Sequence, residues 1–140
     1  MILIRSAVES DIETLCSFDL IAREDEERRD FIRREVASGT CFVALDHGEV
    51  IGYGVLNYSF YRNGCIDMLY VHSNHRRRGA GVALLRHMES LCRTAKLFTS
   101  TNESNLQMQS LLAKSGYELT GVIHNLDEGD PELVYFKRLR

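Results

Sequence analysis

The chain has 140 residues, 44% of them hydrophobic and 26% charged, with a formal net charge of −3. That length predicts a single domain over residues 1–140 with a core of its own. The mild acidity offers no general case for nucleic-acid binding, no apolar run approaches the roughly 18 residues of a membrane span, and one proline with ten glycines argues against a long disordered linker.

Residues 2–8 alternate and are β-branched, which predicts a first strand. Ser10-Asp11-Ile12-Glu13 has the form of a capping box, with Ser10 as N-cap and Glu13 reaching back. It opens a short helix whose buried stripe is Ile12, Leu15 and Cys16. Residues 23–37 are densely charged. Glu24/Arg28, Asp25/Arg29 and Asp30/Arg34 are acid-then-base pairs at i,i+4, so a solvated helix is expected with Phe31, Ile32 and Val36 facing inward. Ser38-Gly39 ends it.

Cys41 to Leu45 reads as a strand, Asp46-His47-Gly48-Glu49 as a tight turn, and Val50 to Leu56 as the hairpin partner. Gly52 and Gly54 leave one face of that partner locally bare. After an Arg62-Asn63-Gly64 turn, Cys65 to His72 is apolar enough for a buried strand. Leu84, Leu85, Met88, Leu91 and Cys92 then mark one face of a helix. Lys96 to Ser100 is a short strand. Ser104-Asn105-Leu106-Gln107 suggests a second capping box, opening a helix through Leu111, Leu112 and Lys114, with Gly116 just past its end. Tyr117–Val122 and Leu133–Leu139 are two last strands separated by the acidic loop 125–132.

Cys16, Cys41, Cys65 and Cys92 are scattered, without a Cys-x-x-Cys pair or a His at ligand spacing. Buried reduced thiols are expected, and no metal site. Met1-Ile2-Leu3-Ile4-Arg5 lacks the charged-then-apolar layout of a signal peptide, so the expected location is the cytoplasm.

The chemistry concentrates at His75-Arg76-Arg77-Arg78-Gly79-Ala80-Gly81-Val82, where a basic, glycine-bearing turn joins a core strand to a helix start. Such a turn offers backbone N–H groups, the positive end of a helix dipole and room for a ligand to approach: the elements of a phosphate site. Arg76-x-x-Gly79-x-Gly81 alone is a loose pattern, expected by chance in on the order of one chain in ten of this length. Its place between strand and helix gives it force. A Walker A loop is absent, and Leu84 stands where a dinucleotide loop needs its third glycine.

Along nearly its whole length the chain resembles the GNAT superfamily of acyl-CoA-dependent N-acyltransferases. Ile4-Arg5-Ser6-Ala7 with Asp11 resembles the family's opening strand and helix. Ile66-Asp67-Met68-Leu69-Tyr70-Val71 followed by Arg76-x-x-Gly79-x-Gly81 resembles its central motif. Asn105-Leu106-Gln107-Met108 through Leu111-Leu112 to Gly116-Tyr117 resembles its downstream helix motif. The resemblance implies an α+β fold: three layers, α/β/α, around a mixed, largely antiparallel sheet splayed between its fourth and fifth strands. It implies that the backbone of residues 77–82 (Arg77, Arg78, Gly79, Ala80, Gly81, Val82), with Arg76 beside it, holds the pyrophosphate of acetyl-CoA. It also implies that pantetheine lies along Leu69-Tyr70-Val71 and meets Asn105, whose plainer role is to cap the helix start.

By the same resemblance the reaction is acetyl transfer from acetyl-CoA to a primary amine of a small molecule or protein, with no metal. An amine of pKa near 10 is almost wholly protonated at neutral pH and must lose a proton before it attacks. Asp67 is the candidate base, or else a strand-surface carboxylate with a structural partner. The Leu69 N–H is the candidate polariser of the thioester carbonyl. Relatives often place a proton-donating Tyr where this chain has Leu112, and leucine cannot donate, so either solvent protonates the leaving thiolate or another Tyr, such as Tyr70 or Tyr117, serves. Met108 likewise replaces a small residue. Leu112 also admits a second reading, a CoA-binding regulatory module with little turnover. His72 and His75 are expected to be ordinary loop residues. The acidic stretch 127–132 is either a solvated loop or one facing a cationic acceptor. No nucleic-acid or membrane partner is expected, and relatives are often homodimers.

Overall fold

A computed structural model describes residues 1–140. The strands are β1 (Ile2–Ser6), β2 (Cys41–Asp46), β3 (Glu49–Phe60), β4 (Asn63–Val71), β5 (Lys96–Asn102), β6 (Glu118–Ile123) and β7 (Glu132–Arg138), and the helices are α1 (Ile12–Phe18), α2 (Glu26–Ala37), α3 (Ala80–Leu91) and α4 (Leu106–Lys114). The sheet runs β1-β2-β3-β4-β5-β7-β6. It is mixed: β1/β2, β2/β3, β5/β7 and β6/β7 are antiparallel, and β4/β5 is parallel. This is the expected α+β architecture. No helix is long and apolar enough to cross a membrane.

The chain forms two compact units, Met1–Leu56 with Met68–Ser90 and Asn57–Asp67 with Leu91–Arg140. Strands β3 and β4 each continue from one into the other.

In the first unit the sheet is covered on both faces, which is why β2 reads as an unbroken apolar run. One face carries Cys41, Val43, Tyr53 and Val55 against Leu15, Phe18, Ile32 and Val36 of α1 and α2. The other meets α3. A Cβ on Gly54 would lie 2.7 Å from the Met88 methyl, and one on Gly52 3.0 Å from the Tyr70 carbonyl. The bare face is therefore a seat for Met88 and for β4. His47 and Gly48 both have positive φ (52° and 80°), giving the expected tight turn.

Several local expectations were wrong. Ser10 and Glu13 form no capping box. The Asp11 carboxylate instead accepts the Val8 N–H at 2.8 Å and both terminal nitrogens of Arg5. Helix α2 starts at Glu26, three residues late, because Asp25 caps it by accepting from the N–H groups of Glu27 and Arg28. None of the three i,i+4 pairs forms: Arg29 and Arg33 turn to Glu26 and Asp30, and Arg28 to Asp19.

In the second unit the β3–β4 turn places Tyr61 and Arg62 at positive φ (53° and 64°). Gly64, expected in that turn, lies in β4, where a Cβ would come within 2.4 Å of Cys92 Sγ. Cys92 is buried but Leu91 is 46% exposed, so the apolar stripe of α3 ends earlier than its spacing suggests. Cys41 is buried, whereas Cys16 and Cys65 are only half-buried. Helix α4 takes Asn105, not Ser104, as N-cap, with Asn105 Oδ1 accepting from the Met108 N–H at 3.1 Å. Ser104 is held by Asp130, to which its N–H and hydroxyl donate at 2.9 and 2.6 Å.

The parallel β4/β5 ladder contains three pairs, Gly64↔Leu97, Cys65↔Phe98 and Ile66↔Thr99. Beyond it β4 continues to Val71 and β5 to Asn102. At the last pair the Thr99 hydroxyl donates to the Ile66 carbonyl at 2.8 Å.

Candidate active site

Strand β4 feeds directly into the basic turn. After Val71, residues Ser73–His75 make one 3-10 turn, and the chain then reaches α3 through Arg76, Arg77, Arg78 and Gly79. The start of the turn is held at His72, whose N–H donates to the Ile51 carbonyl at 2.7 Å and whose Nδ1 accepts the Asn74 N–H at 3.1 Å. Arg77 and Gly79 adopt positive φ, 67° and 88°. Only glycine takes that conformation without a steric cost, and nothing lies within 4 Å of where a Cβ on Gly79 would be.

The first intrahelical bond after the turn runs from the Ala83 N–H to the Gly79 carbonyl, at 2.9 Å. Ala80, Gly81 and Val82 precede it, and their N–H groups are the ones an α-helix leaves without an internal acceptor. Arg76 Nε donates back to the Val71 carbonyl at 3.3 Å, and Arg78 lies 3.6 Å from Asp46. A helix start, an open glycine and three arginines make a donor set that suits a pyrophosphate. His75 Nε2 stands 3.5 Å from Glu49 and its ring packs edge-on to His72.

The candidate reacting groups sit upstream on the same strand. Asp67 is exposed, and Asn57 Nδ2 donates to its carboxylate at 3.1 Å. Leu69, Tyr70 and Val71 are half-buried. The Tyr70 hydroxyl accepts the Leu20 N–H at 3.1 Å, which leaves its own proton available to donate. Leu112 is 1% exposed and Tyr117 4%, so both are core residues of their unit. Asn105 is exposed, with its side-chain oxygen already engaged as the α4 cap.

Sequence reasoning missed three groups. Asn57, polar within a strand, is the partner of Asp67. Asp19 is wholly buried and accepts from Tyr53, Arg28 and two backbone N–H groups. An acid inside the run Phe18 to Ala22 was the available signal for it. Thr99 stands in the stretch from Lys96 to Ser100 as one more strand-forming residue, and nothing in the sequence marks its hydroxyl.

The family model described as the acetyltransferase (GNAT) family matches residues 8–117. An acetyltransferase of the GNAT family from Bacillus cereus ATCC 10987 shares 30% identity, with a TM-score of 0.92 over 99% of this chain and 97% of that one. The chain belongs to the GNAT acetyltransferase family. The same fold is found at lower identity. Ribosomal-protein-alanine N-acetyltransferase from Brucella melitensis has 23% identity and a TM-score of 0.77, covering 97% of this chain and 99% of that one. A protein described as a streptothricin acetyltransferase from Bacillus anthracis str. Ames, solved in complex with acetyl coenzyme A, has 14% identity and a TM-score of 0.81, covering 99% and 98%. None of the curated proteins searched matches the sequence.

Proposed function

We propose that the protein is an N-acetyltransferase that moves the acetyl group of acetyl-CoA to a primary amine on a small molecule or a protein. The observation that carries this reading is the turn at residues 76–79 opening α3, with the Ala80, Gly81 and Val82 N–H groups ahead of the first intrahelical bond. Acetyl-CoA supplies the activated acyl group, a thioester. Residues 77–82 with Arg76 hold its pyrophosphate through backbone N–H groups, the α3 dipole and guanidinium charge. Leu69, Tyr70 and Val71 offer the backbone of β4 to the pantetheine arm, in the manner of an added strand. Asn105 donates through its amide nitrogen, since its oxygen caps α4.

Asp67 accepts a proton from the incoming ammonium, directly or through a water, and Asn57 fixes the carboxylate. The Leu69 N–H stabilises the negative charge that develops on the acetyl oxygen. The C–N bond forms, the C–S bond breaks, and the departing thiolate takes up a proton. Leu112 has no proton to give and is buried. Tyr70 is the favoured donor, because its hydroxyl keeps its hydrogen while accepting from Leu20.

The buried Leu112 also favours a second reading, a CoA-binding module without turnover. Calorimetry with acetyl-CoA, followed by thiol release with a panel of amines, separates the two. Binding with amine-dependent thiol release is the expected result. Binding without release supports the module, and no binding sinks both.

A further inference from the structure

The unit containing Asn57–Asp67 and Leu91–Arg140 holds a cavity of about 320 Å³ that the proposed acetyl-CoA site does not use. Its walls are mostly apolar and include Phe60, Phe98, Leu126 and Val134, with Asp127 and Glu132 also lining it. The Phe60 and Phe98 rings lie 5.0 Å apart at 41°, and Phe98 stacks on Phe136 at 5.7 Å. Phe60 and Phe98 thus give the cavity a packed aromatic wall, and the size is at the small end of small-molecule sites, which run from about 300 to 1,000 Å³.

The two carboxylates make this more than an apolar hollow. Glu132 accepts the Ser100 hydroxyl at 2.7 Å, and Asp127 accepts Asn102 Nδ2 at 3.0 Å. Both donors are neutral, and neither carboxylate is in an ion pair with Lys, Arg or His. Asp130 in the same loop differs, because Ser104 satisfies both of its oxygens. Two carboxylates therefore border an aromatic cavity with neutral hydrogen-bond donors as their partners. Cys65 also lines the cavity. Strand alternation puts Asp67 on the same face as Cys65, roughly 7 Å farther along β4.

We propose that this cavity is the acceptor subsite and that the acceptor is an arylalkylamine, a primary ammonium on a short link to a flat apolar ring. The inference rests on the acetyltransferase reading and on Asp67 as its base. The ring lies against Phe60 and Phe98, and the ammonium faces Asp127 and Glu132 on its way to Asp67. A polyamine has charge but no ring, and a neutral aryl alcohol has a ring but no charge. Neither matches the cavity as phenethylamine does. The ammonium gives up one proton before attack and a second as the amide forms. Asp67 takes the first and passes it to solvent, and the second makes good the proton that Tyr70 gives to the leaving thiolate.

The test uses the full chain. Acetyl-CoA binding is measured first, by calorimetry. Phenethylamine, phenethyl alcohol, butylamine and spermidine are then titrated with CoA present, and methyl shifts are followed by NMR. Phenethylamine is expected to bind at least tenfold tighter than the other three and to shift the methyls of Ile123, Leu126 and Val134. The Glu132→Gln variant should weaken phenethylamine about tenfold while leaving phenethyl alcohol unchanged, and raise KM for the amine with little change in kcat. Equal affinity for amine and alcohol, a preference for spermidine, or shifts confined to other methyls overturns the inference. If acetyl-CoA binds while the amine series fails, only the acceptor assignment falls. If acetyl-CoA does not bind, the acetyltransferase reading falls as well. The ligand series on the unaltered chain decides the matter even if Glu132→Gln fails to fold.

Discussion

The Tyr53 hydroxyl donates to the Asp19 carboxylate at 2.5 Å, in the core of the unit that carries the basic turn. The same carboxylate accepts Arg28 Nε at 2.9 Å and the N–H groups of Ile21 and Ala22 at 3.0 and 3.1 Å. Four donors fill its acceptor capacity. Burial, then Asp19, pushes the Tyr53 hydroxyl far above its ordinary pKa, so it stays a donor at any working pH. Tyr53→Phe should cost about 1–3 kcal/mol by leaving a buried acceptor short of one bond. Asp19→Ala should cost about 3–5 kcal/mol, because Arg28 then loses its partner. Urea unfolding monitored by circular dichroism checks both, and an unchanged midpoint for Tyr53→Phe would show that the hydroxyl contributes nothing.

Acid stability should depend on Arg5. Its side chain, hydrogen-bonded to Asp11, holds that carboxyl below its ordinary value, with the Val8 N–H assisting and burial opposing. A folded-state pKa lowered in this way contributes stability that is present above the unfolded value of about 4 and lost as pH falls through the lowered one. Arg5→Ala should move the acid-unfolding midpoint to higher pH and leave stability at pH 7 reduced only modestly, because Arg5 is 43% exposed. An unshifted acid limb in a pH titration of ellipticity would disprove the linkage.

Gly81→Glu should abolish acetyl-CoA binding without unfolding the protein. A carboxylate in the first turn of α3 is favourable to the helix dipole, by about 0.3–1 kcal/mol. It also puts negative charge and bulk where the pyrophosphate is proposed to lie. Calorimetry should show no heat of binding while the thermal midpoint holds. Retained binding would move the phosphate site elsewhere.

Asp67→Ala should lower kcat by about 10²- to 10⁴-fold, the usual worth of a positioned base, while Asp67→Glu keeps part of the activity. Asn57→Ala frees the carboxylate to rotate and should lower kcat less. A smaller drop for Asp67→Ala at high pH, where the amine is already neutral, identifies the residue as the base. A pH-independent drop would make it structural.

Gly64→Ala should destabilise by about 1–3 kcal/mol or more, because the new Cβ would sit 2.4 Å from Cys92 Sγ and 3.1 Å from Thr94 Oγ1. Adding Cys92→Ala removes the nearer atom and should restore part of the loss in thermal melts. If the pair is no better than the single variant, backbone strain rather than the thiol contact is responsible.

What was legible in the sequence followed from periodicity and from glycine. The β2–β3 hairpin, the apolar face of α3 and the basic turn between β4 and α3 were all visible, because each is a local pattern with one physical cause. What was not legible depended on competition between neighbours. Ser10 and Glu13 had the residue types of a capping box, but Asp11 takes the Val8 N–H once Arg5 holds it in place. The i,i+4 pairs of residues 24–34 were plausible until Asp19, distant in sequence, claimed Arg28. Gly64 looked like a turn residue because Asn63 precedes it, whereas its need for bareness comes from Cys92, 28 positions later. The cavity residues come from β3, β4, β5, β6, β7 and the loop before β7, and no one-dimensional pattern announces such a gathering.

One oxygen atom marks where the fourth and fifth strands stop being partners. A valine at position 99 would have nearly the shape of threonine and as strong a preference for extended backbone, and in the middle of a ladder the exchange would matter little. At the end of one it leaves the carbonyl of Ile66 facing a methyl group in a buried place. The last pair of the ladder carries a hydroxyl on a backbone carbonyl, and a hydrophobicity profile, which scores threonine as a mediocre valine, passes over it.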